Sequence, residues 1–475
     1  MNVFSTLIEA ANRWPETLGI VSNDGSLTYS ELFREAESLQ RELLASGVRP
    51  GMGLGLVAKN SPEFVIGLMA GLACEAVVMP LSHELKEQEL SRALELIPMA
   101  AILHDGNLTS EPRWINRSSH RDFQVVTLSS EFHGKVASGV PQAAVIRFTS
   151  GTTGSSKGVV LSHRTVTERT AAAGQALSLR PGMRILWALP MAHHFVVSIL
   201  AYVRFGVTLV LADDSTPQSI LAAAERYSPE LFYASPPILE SLAVDTSNSP
   251  LPKSMRVIST STGMSRDNLR LFDARFGLPV YQMYGLIEVG LPLGNLASGA
   301  HPFESVGAPI PPYEAAILDP QGRRLPAGQI GRLAVKGPGM FDAYLAPYRP
   351  REEVLVNGWF ITGDLGVQSY SGAFTVCGRE RSVIHCNGEK VFPEEVEGVL
   401  NSYPGIKSSR VFGIQGTNLE DTSIAEIVPH AGTTLDLEAV RSYASERLSH
   451  HKVPTRFVSV SSIPLTPTGK VIRSS

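Results

Sequence analysis

Between Met183 and Gly285 the chain reads Arg184-Ile185-Leu186-Trp187-Ala188-Leu189, then Val207-Thr208-Leu209-Val210-Leu211-Ala212, Glu230-Leu231-Phe232-Tyr233-Ala234, Met255-Arg256-Val257-Ile258-Ser259 and Pro279-Val280-Tyr281-Gln282-Met283. Each run is apolar and short, as in strands buried on both faces. Helical stretches at 219–227 and 266–276 lie between several of them. Strand-helix alternation of this kind implies a mainly parallel sheet covered by helices. Ligands of such sheets bind beyond the carboxyl ends of the strands, so the loops that follow these runs are where chemistry is expected.

Working outward towards the start, Thr28 and Glu31 have the spacing of a capping box, in which each side chain satisfies the other's free backbone N–H. An amphipathic run continues to about Ser46, Gly47 and Pro50-Gly51 end it, and residues 54–57 read as a short strand. The most apolar stretch, 64–81, is broken by Glu75 and Pro80, short of the ~18 apolar residues of a membrane span. It reads as a buried helix followed by a strand. Working outward towards the end, residues 305–344 change texture to Gly, Pro and short alternating runs. These predict antiparallel strands in a small barrel-like subdomain. After Gly378-Arg379 a separate small α+β unit is expected, with strands near 383, 410–414 and 456–460 and a helix near 435–448. The fold class is therefore α/β, with a large N-terminal domain of mainly parallel sheets, a small β-barrel-like subdomain and a small α+β C-terminal domain.

The 475 residues are 43% hydrophobic and 18% charged, which excludes a disordered chain. A net charge of -4 excludes a basic protein that binds nucleic acid by neutralising its backbone. Cys74, Cys377 and Cys386 form no CxxC pair, so neither a disulfide framework nor a structural zinc site is expected. The first residues lack the basic start and apolar core of a signal peptide, and a cytoplasmic location is expected.

The strongest local signal is Phe148-Thr149-Ser150-Gly151-Thr152-Thr153-Gly154-Ser155-Ser156-Lys157-Gly158, which follows the apolar run 143–148. Small residues let backbone N–H groups and hydroxyls close around an anion, and Lys157 adds a positive charge. A loop on nucleotide phosphates is the expectation. The two serines between Gly154 and Lys157 exclude a Walker A loop. The segment resembles the phosphate-loop signature of the adenylate-forming superfamily, which contains acyl- and aryl-CoA ligases, peptide-synthetase adenylation domains and luciferases. Ser156 stands where that family usually has Pro. Further motifs follow in the family's order over essentially the whole chain.

Tyr281-Gln282-Met283-Tyr284-Gly285-Leu286-Ile287-Glu288 resembles the family's Y-G-x-T-E motif. The resemblance implies that Tyr284, beside Gly285, stacks on adenine and that Glu288 helps hold Mg2+ on the triphosphate. Ile287 replaces the family's threonine and removes a hydroxyl. Gly358-Trp359-Phe360-Ile361-Thr362-Gly363-Asp364 resembles the motif whose Asp chelates the ribose hydroxyls, which assigns that role to Asp364. Gly378-Arg379-Glu380-Arg381-Ser382 resembles the hinge, with Arg379 on ribose or phosphate and Arg381 at the hinge position. Gly388 then lines the pantetheine tunnel in the family's thioester-forming state. The acids in 393–397 read as solvated charges at a helix start. Pro464-Leu465-Thr466-Pro467-Thr468-Gly469-Lys470 resembles the motif of the catalytic lysine, Lys470.

The resemblance implies an adenylation core over 1–378, a hinge at 379–382 and a mobile domain over 383–475. It implies ATP and Mg2+, a small-molecule carboxylic acid activated as its acyl adenylate, and transfer to coenzyme A or to the phosphopantetheine of a separate carrier protein. The resemblance implies that His193 falls at the mouth of the acid pocket, and it is placed with Lys470 and Glu288 among the catalytic residues. His194, Gly263, Met264, Val289 and Gly290 are the other candidate pocket residues. No Asp occurs between Pro190 and Gly206, which argues against an amino-acid substrate and for an aryl or hydrophobic acyl acid. A nucleotide-binding homologue without ligase chemistry is the alternative that Ile287 keeps open, and the residues leave the oligomeric state open.

Overall fold

The structure is a computed structural model that describes residues 2–97, 99–105, 116–120, 123–127, 135–149, 157–261, 263–264, 266–296, 305–386, 389–415, 421–465 and 471–472. Ser150, Gly151, Thr152, Thr153, Gly154, Gly388 and Lys470 lie outside these residues.

The apolar runs between Arg184 and Met283 form adjacent strands of one nine-stranded sheet. Val280–Leu286, Arg256–Ser259, Leu231–Ala234, Arg184–Trp187, Thr208–Leu211 and Leu18–Ser22 lie side by side, and all are parallel. Arg184–Trp187 sits between the strand that follows it and the strand after that, so the chain reverses its direction of winding there. A crevice opens at such a switch point, and the segment leaving it is the short helix Met191–His194. Trp187, wholly buried, stacks on Tyr233 at 6.0 Å and meets His194 edge-on at 6.4 Å. Aromatic pairs of this kind add ~0.5–1.5 kcal/mol each beyond their burial.

A second nine-stranded sheet carries Ala143–Thr149 and Lys157–Ser162 as an antiparallel pair. Ala143–Thr149 runs parallel to Val77–Leu81, which runs parallel to Gly53–Val57. The helices Tyr29–Ala45 and Pro62–Ala73 pack on each other. The capping box at Thr28 and Glu31 is formed in both directions. The apolar stretch 64–81 divides as read: the helix Pro62–Ala73 ends before Glu75, which turns through a positive φ of 54°, and the strand Val77–Leu81 follows. The hairpin Leu18–Ser22 and Gly25–Thr28 was not anticipated.

The antiparallel texture expected over 305–344 takes the form of a four-stranded sheet that runs on to Arg379: Glu314–Leu318, Ile330–Lys336, Phe360–Gln368 and Phe374–Arg379. Ala343–Leu345 leaves it and pairs with Lys157–Ser162 instead. Beyond Arg379, Ile406–Gln415, Asp421–Pro429 and Arg456–Ser459 form a sheet packed on the helices Pro393–Asn401 and Leu437–Arg447. Asp421–Pro429 was absent from the sequence reading. Glu397 is 7% exposed, and its carboxylate accepts a 2.7 Å hydrogen bond from the Val411 amide, so it is a buried tie between helix and sheet rather than a solvated charge.

Candidate active site

The strand Val280–Leu286 turns back into Gly290–Asn295 through Ile287, Glu288 and Val289. The turn needs Gly285, because a Cβ there would lie 2.8 Å from the Gly290 carbonyl oxygen. This hairpin presents Tyr284 on one side and Glu288 at its tip.

The Tyr284 hydroxyl donates to Oδ2 of Asp364 at 2.5 Å. Asp364 is 4% exposed, on the strand Phe360–Gln368. Its second oxygen, Oδ1, takes the Nε of Arg379 at 2.9 Å from the paired position on the neighbouring strand. The Asp364 amide donates to the Thr362 hydroxyl oxygen at 3.1 Å. Burial, reinforced by the Asp364 charge, pushes the Tyr284 phenol well above its ordinary pKa, so it stays a neutral donor. The structure thus brings together Tyr284, Asp364 and Arg379, residues about eighty and fifteen positions apart in the sequence. A buried carboxylate ringed by exchangeable donors is suited to hydroxyl groups of a ligand.

Glu288 heads a second cluster. The Tyr344 hydroxyl donates to its Oε1 at 3.0 Å, and the Nζ of Lys157 stands 5.0 Å from the centre of the Tyr344 ring. Thr149 and Lys157 are paired residues at the base of the expected phosphate loop, and Lys157 meets Glu288's partner Tyr344. The Glu288 carbonyl is held by the Phe341 amide at 2.7 Å. Arg169, 1% exposed on the helix His163–Leu177, donates to the carbonyls of Ile287 at 2.6 Å, Glu288 at 3.3 Å and Gly339. It clamps the turn from behind. Arg169 and Tyr344 were missed by sequence reading, because neither belongs to a local motif and both act on a turn far away in the chain.

His193 is half-buried on Met191–His194, and burial, helped by the neighbouring Arg147, pulls its pKa down to about 4. It is a neutral imidazole near neutral pH. The buried Met264 amide lies 3.3 Å from Oε1 of Gln282, and Gly263 beside it is exposed to open space. Val289 is wholly buried, and Gly290 faces Tyr313, Arg169 and Val197. Arg381 lies in the short turn Glu380–Ser382, whose Glu380 pairs with Arg332 at 2.7 Å. Gly378 just before it has φ +153°, and a Cβ there would come within 2.6 Å of a Glu394 oxygen, so this passage between the two units requires glycine.

Two nine-stranded sheets with a switch point, and two carboxylate-centred clusters that meet on one hairpin, define an α/β protein with a candidate site on that hairpin. The chain belongs to the AMP-binding enzyme family: the family model matches residues 7–345, and the model of the AMP-binding enzyme C-terminal domain matches residues 395–470. It is 26% identical over 474 residues to the feruloyl-CoA synthase of an Amycolatopsis species, covering 98% of this chain and 96% of that protein. It is 27% identical over 468 residues to the 2-succinylbenzoate–CoA ligase of Geobacillus kaustophilus, covering 97% and 94%. Among solved structures it resembles o-succinylbenzoate CoA synthetase from Bacillus subtilis in complex with its acyl-adenylate intermediate, with a TM-score of 0.87, 25% identity and coverage of 98% and 96%. Among the described residues, no helix is long and apolar enough to cross a membrane.

Proposed function

We propose that the protein is an acid–thiol ligase that joins a carboxylic acid to the adenylyl group of ATP and then passes the acyl group to coenzyme A. One observation carries this reading. One hairpin carries Tyr284, which joins the Asp364 and Arg379 cluster, and Glu288, which joins the Tyr344 and Lys157 cluster, and this pairing suits a nucleotide with its ribose at the first and its phosphates at the second.

In the first half-reaction the substrate carboxylate attacks the α-phosphorus, and pyrophosphate leaves. Asp364 binds the ribose hydroxyls, Tyr284 lies against the adenine, and Lys157 with the loop 149–157 balances the phosphate charge. The half-buried Glu288 carboxylate is a hard oxygen donor on a fixed turn, suited to Mg2+ shared with phosphate oxygens; the ion, when bound, supplies charge neutralisation on the triphosphate. Lys470 is proposed to bridge the carboxylate and the α-phosphate. In the second half-reaction a thiol attacks the acyl carbon and AMP leaves. Positioning and electrostatics of this kind supply most of such a rate enhancement.

Residues 1–378 are proposed as the adenylation core, 379–382 as the hinge and 383–475 as a domain that turns between the half-reactions, taking Lys470 out and bringing Gly388 in. His193 and His194 at the switch point, with Gly263 and Met264, are proposed to receive the acid. Val289 and Gly290 support the turn beneath it. The names of the feruloyl-CoA and 2-succinylbenzoate–CoA relatives support an aryl acid, all of these ligase names support coenzyme A rather than a carrier protein, and the cysteine usage supports the cytoplasm. The test is ATP–pyrophosphate exchange over a panel of aryl and aliphatic acids, followed by coenzyme A or a phosphopantetheinyl carrier as acceptor. The apolar Ile287 favours one other reading, a nucleotide-binding homologue without ligase chemistry; ATP binding with no hydroxamate formed from any acid and hydroxylamine would establish it.

A further inference from the structure

The strand Ala143–Thr149 that feeds the phosphate loop contains an arginine in an otherwise apolar run. Ile146 and Phe148, on either side of it, pack into a hydrophobic cluster separate from the main core. Strand alternation therefore turns Arg147 to the opposite face. Strand pairing fixes what shares that face. Arg147 pairs with Val159, and Val159 pairs with Tyr344 on the next strand, so the three lie in one row. Adjacent strands lie ~4.8 Å apart, which puts the Arg147 and Tyr344 backbones roughly 10 Å apart across the sheet. Tyr344 holds Glu288, and His193 and Arg169 are both within electrostatic reach of the Arg147 guanidinium.

Arg147 is poorly served in this position. Its Nε is buried and has no hydrogen-bond partner among the described residues. Burial and the neighbouring Arg169 both oppose its charge, and Glu288 favours it. A buried cation with an unused donor is costly unless a ligand completes it. In the same cluster the motif position that would ordinarily offer a hydroxyl is Ile287, whose side chain offers none.

We infer that Arg147 binds the anionic oxygens on the α-phosphate of the nucleotide, and of the adenylate formed from it, in place of the hydroxyl that Ile287 lacks. This inference rests on the ligase reading only for the presence of an adenylyl group. The guanidinium is delocalised and keeps its charge, so it suits an oxyanion that gains charge during attack.

The test compares two probes by calorimetry without added metal: AMP, which carries the α-phosphate, and adenosine, which does not. The wild-type protein is expected to prefer AMP. Arg147→Met should weaken AMP at least tenfold and leave adenosine unchanged, Arg147→Lys should keep part of the preference, and adding Ile287→Thr to Arg147→Met should recover several-fold. Arg147→Met should also unfold at the same temperature as the wild type or higher, because it removes an unpaired buried donor; a purely structural arginine would lower it. An AMP preference that survives Arg147→Met unchanged overturns the inference and leaves the nucleotide reading intact. Failure of the wild-type protein to bind either probe overturns the nucleotide reading itself.

Discussion

The Tyr284 hydroxyl points at the carboxylate of Asp364 and donates to it at 2.5 Å, although the two residues sit on strands of different sheets. The contact ties the central parallel sheet to the four-stranded sheet at the point where the proposed ribose site lies. Asp364→Asn keeps the shape and removes the charge that both Tyr284 and Arg379 address. Charge-assisted hydrogen bonds contribute about 1.5–3 kcal/mol, so the Kd for ATP should rise by roughly one to two orders of magnitude. Tyr284→Phe, which removes one donor and keeps the ring, should raise it less. Equal affinity for ATP in the wild type and Asp364→Asn would remove Asp364 from the site.

Arg169 is a stability prediction. Its guanidinium is buried, and three backbone carbonyls depend on it. Arg169→Met fills the space but takes this donor from the Ile287 and Gly339 carbonyls, and at about 1–3 kcal/mol for each buried acceptor left unsatisfied it should destabilise the protein by about 2–6 kcal/mol. Denaturant unfolding measures this directly. A change below 1 kcal/mol would mean that the turn at Glu288 holds itself.

How far the sequence could be read follows from the range over which each feature is determined. The helix at 29–45 was legible because its start is a local device, Thr28 answering Glu31 three residues on. The parallel strands were legible because buried strands are apolar throughout. Arg169 could not be found in this way: its partners lie 118 to 170 positions further on, and nothing around it marks its helix as the clamp. Tyr344 is similar, since its role appears only when Ala343–Leu345 pairs with Lys157–Ser162. Arg147 did leave a mark, a charge inside an apolar strand, and Asp24-Gly25 is a hairpin signal that foretells the unanticipated turn at 22–25. Glu397 was misread because a carboxylate at a helix start is usually solvated, and only the fold brings the Val411 amide to it.

His193 gives a pH prediction. Its folded pKa of about 4 lies below the ordinary 6.5, so between these values the unfolded chain binds more protons than the folded one. Stability therefore rises with pH across this window. The penalty is absent above pH 6.5 and grows as the pH falls towards 4, to no more than about 3 kcal/mol. His193→Asn should flatten the acid side of the stability curve relative to the wild type. Parallel curves from pH 4 to 6.5 would show that His193 titrates normally.

Lys470 separates the two half-reactions. Lys470→Ala should lower acid-dependent pyrophosphate exchange by roughly two to three orders of magnitude, the scale set by loss of one group that stabilises developing charge. Transfer from a supplied acyl adenylate to coenzyme A should fall by less than a factor of about ten. Equal damage to both steps would remove the proposed division of labour.

Activation of the acid as its mixed anhydride with AMP is tested by the fate of one oxygen. An acid labelled with oxygen-18 in its carboxylate is incubated with the protein, ATP, Mg2+ and coenzyme A, and the nucleotide product is weighed by mass spectrometry. AMP carrying one labelled oxygen is expected in amounts equal to the thioester formed. ADP with the label in free phosphate, or AMP without label, would contradict it.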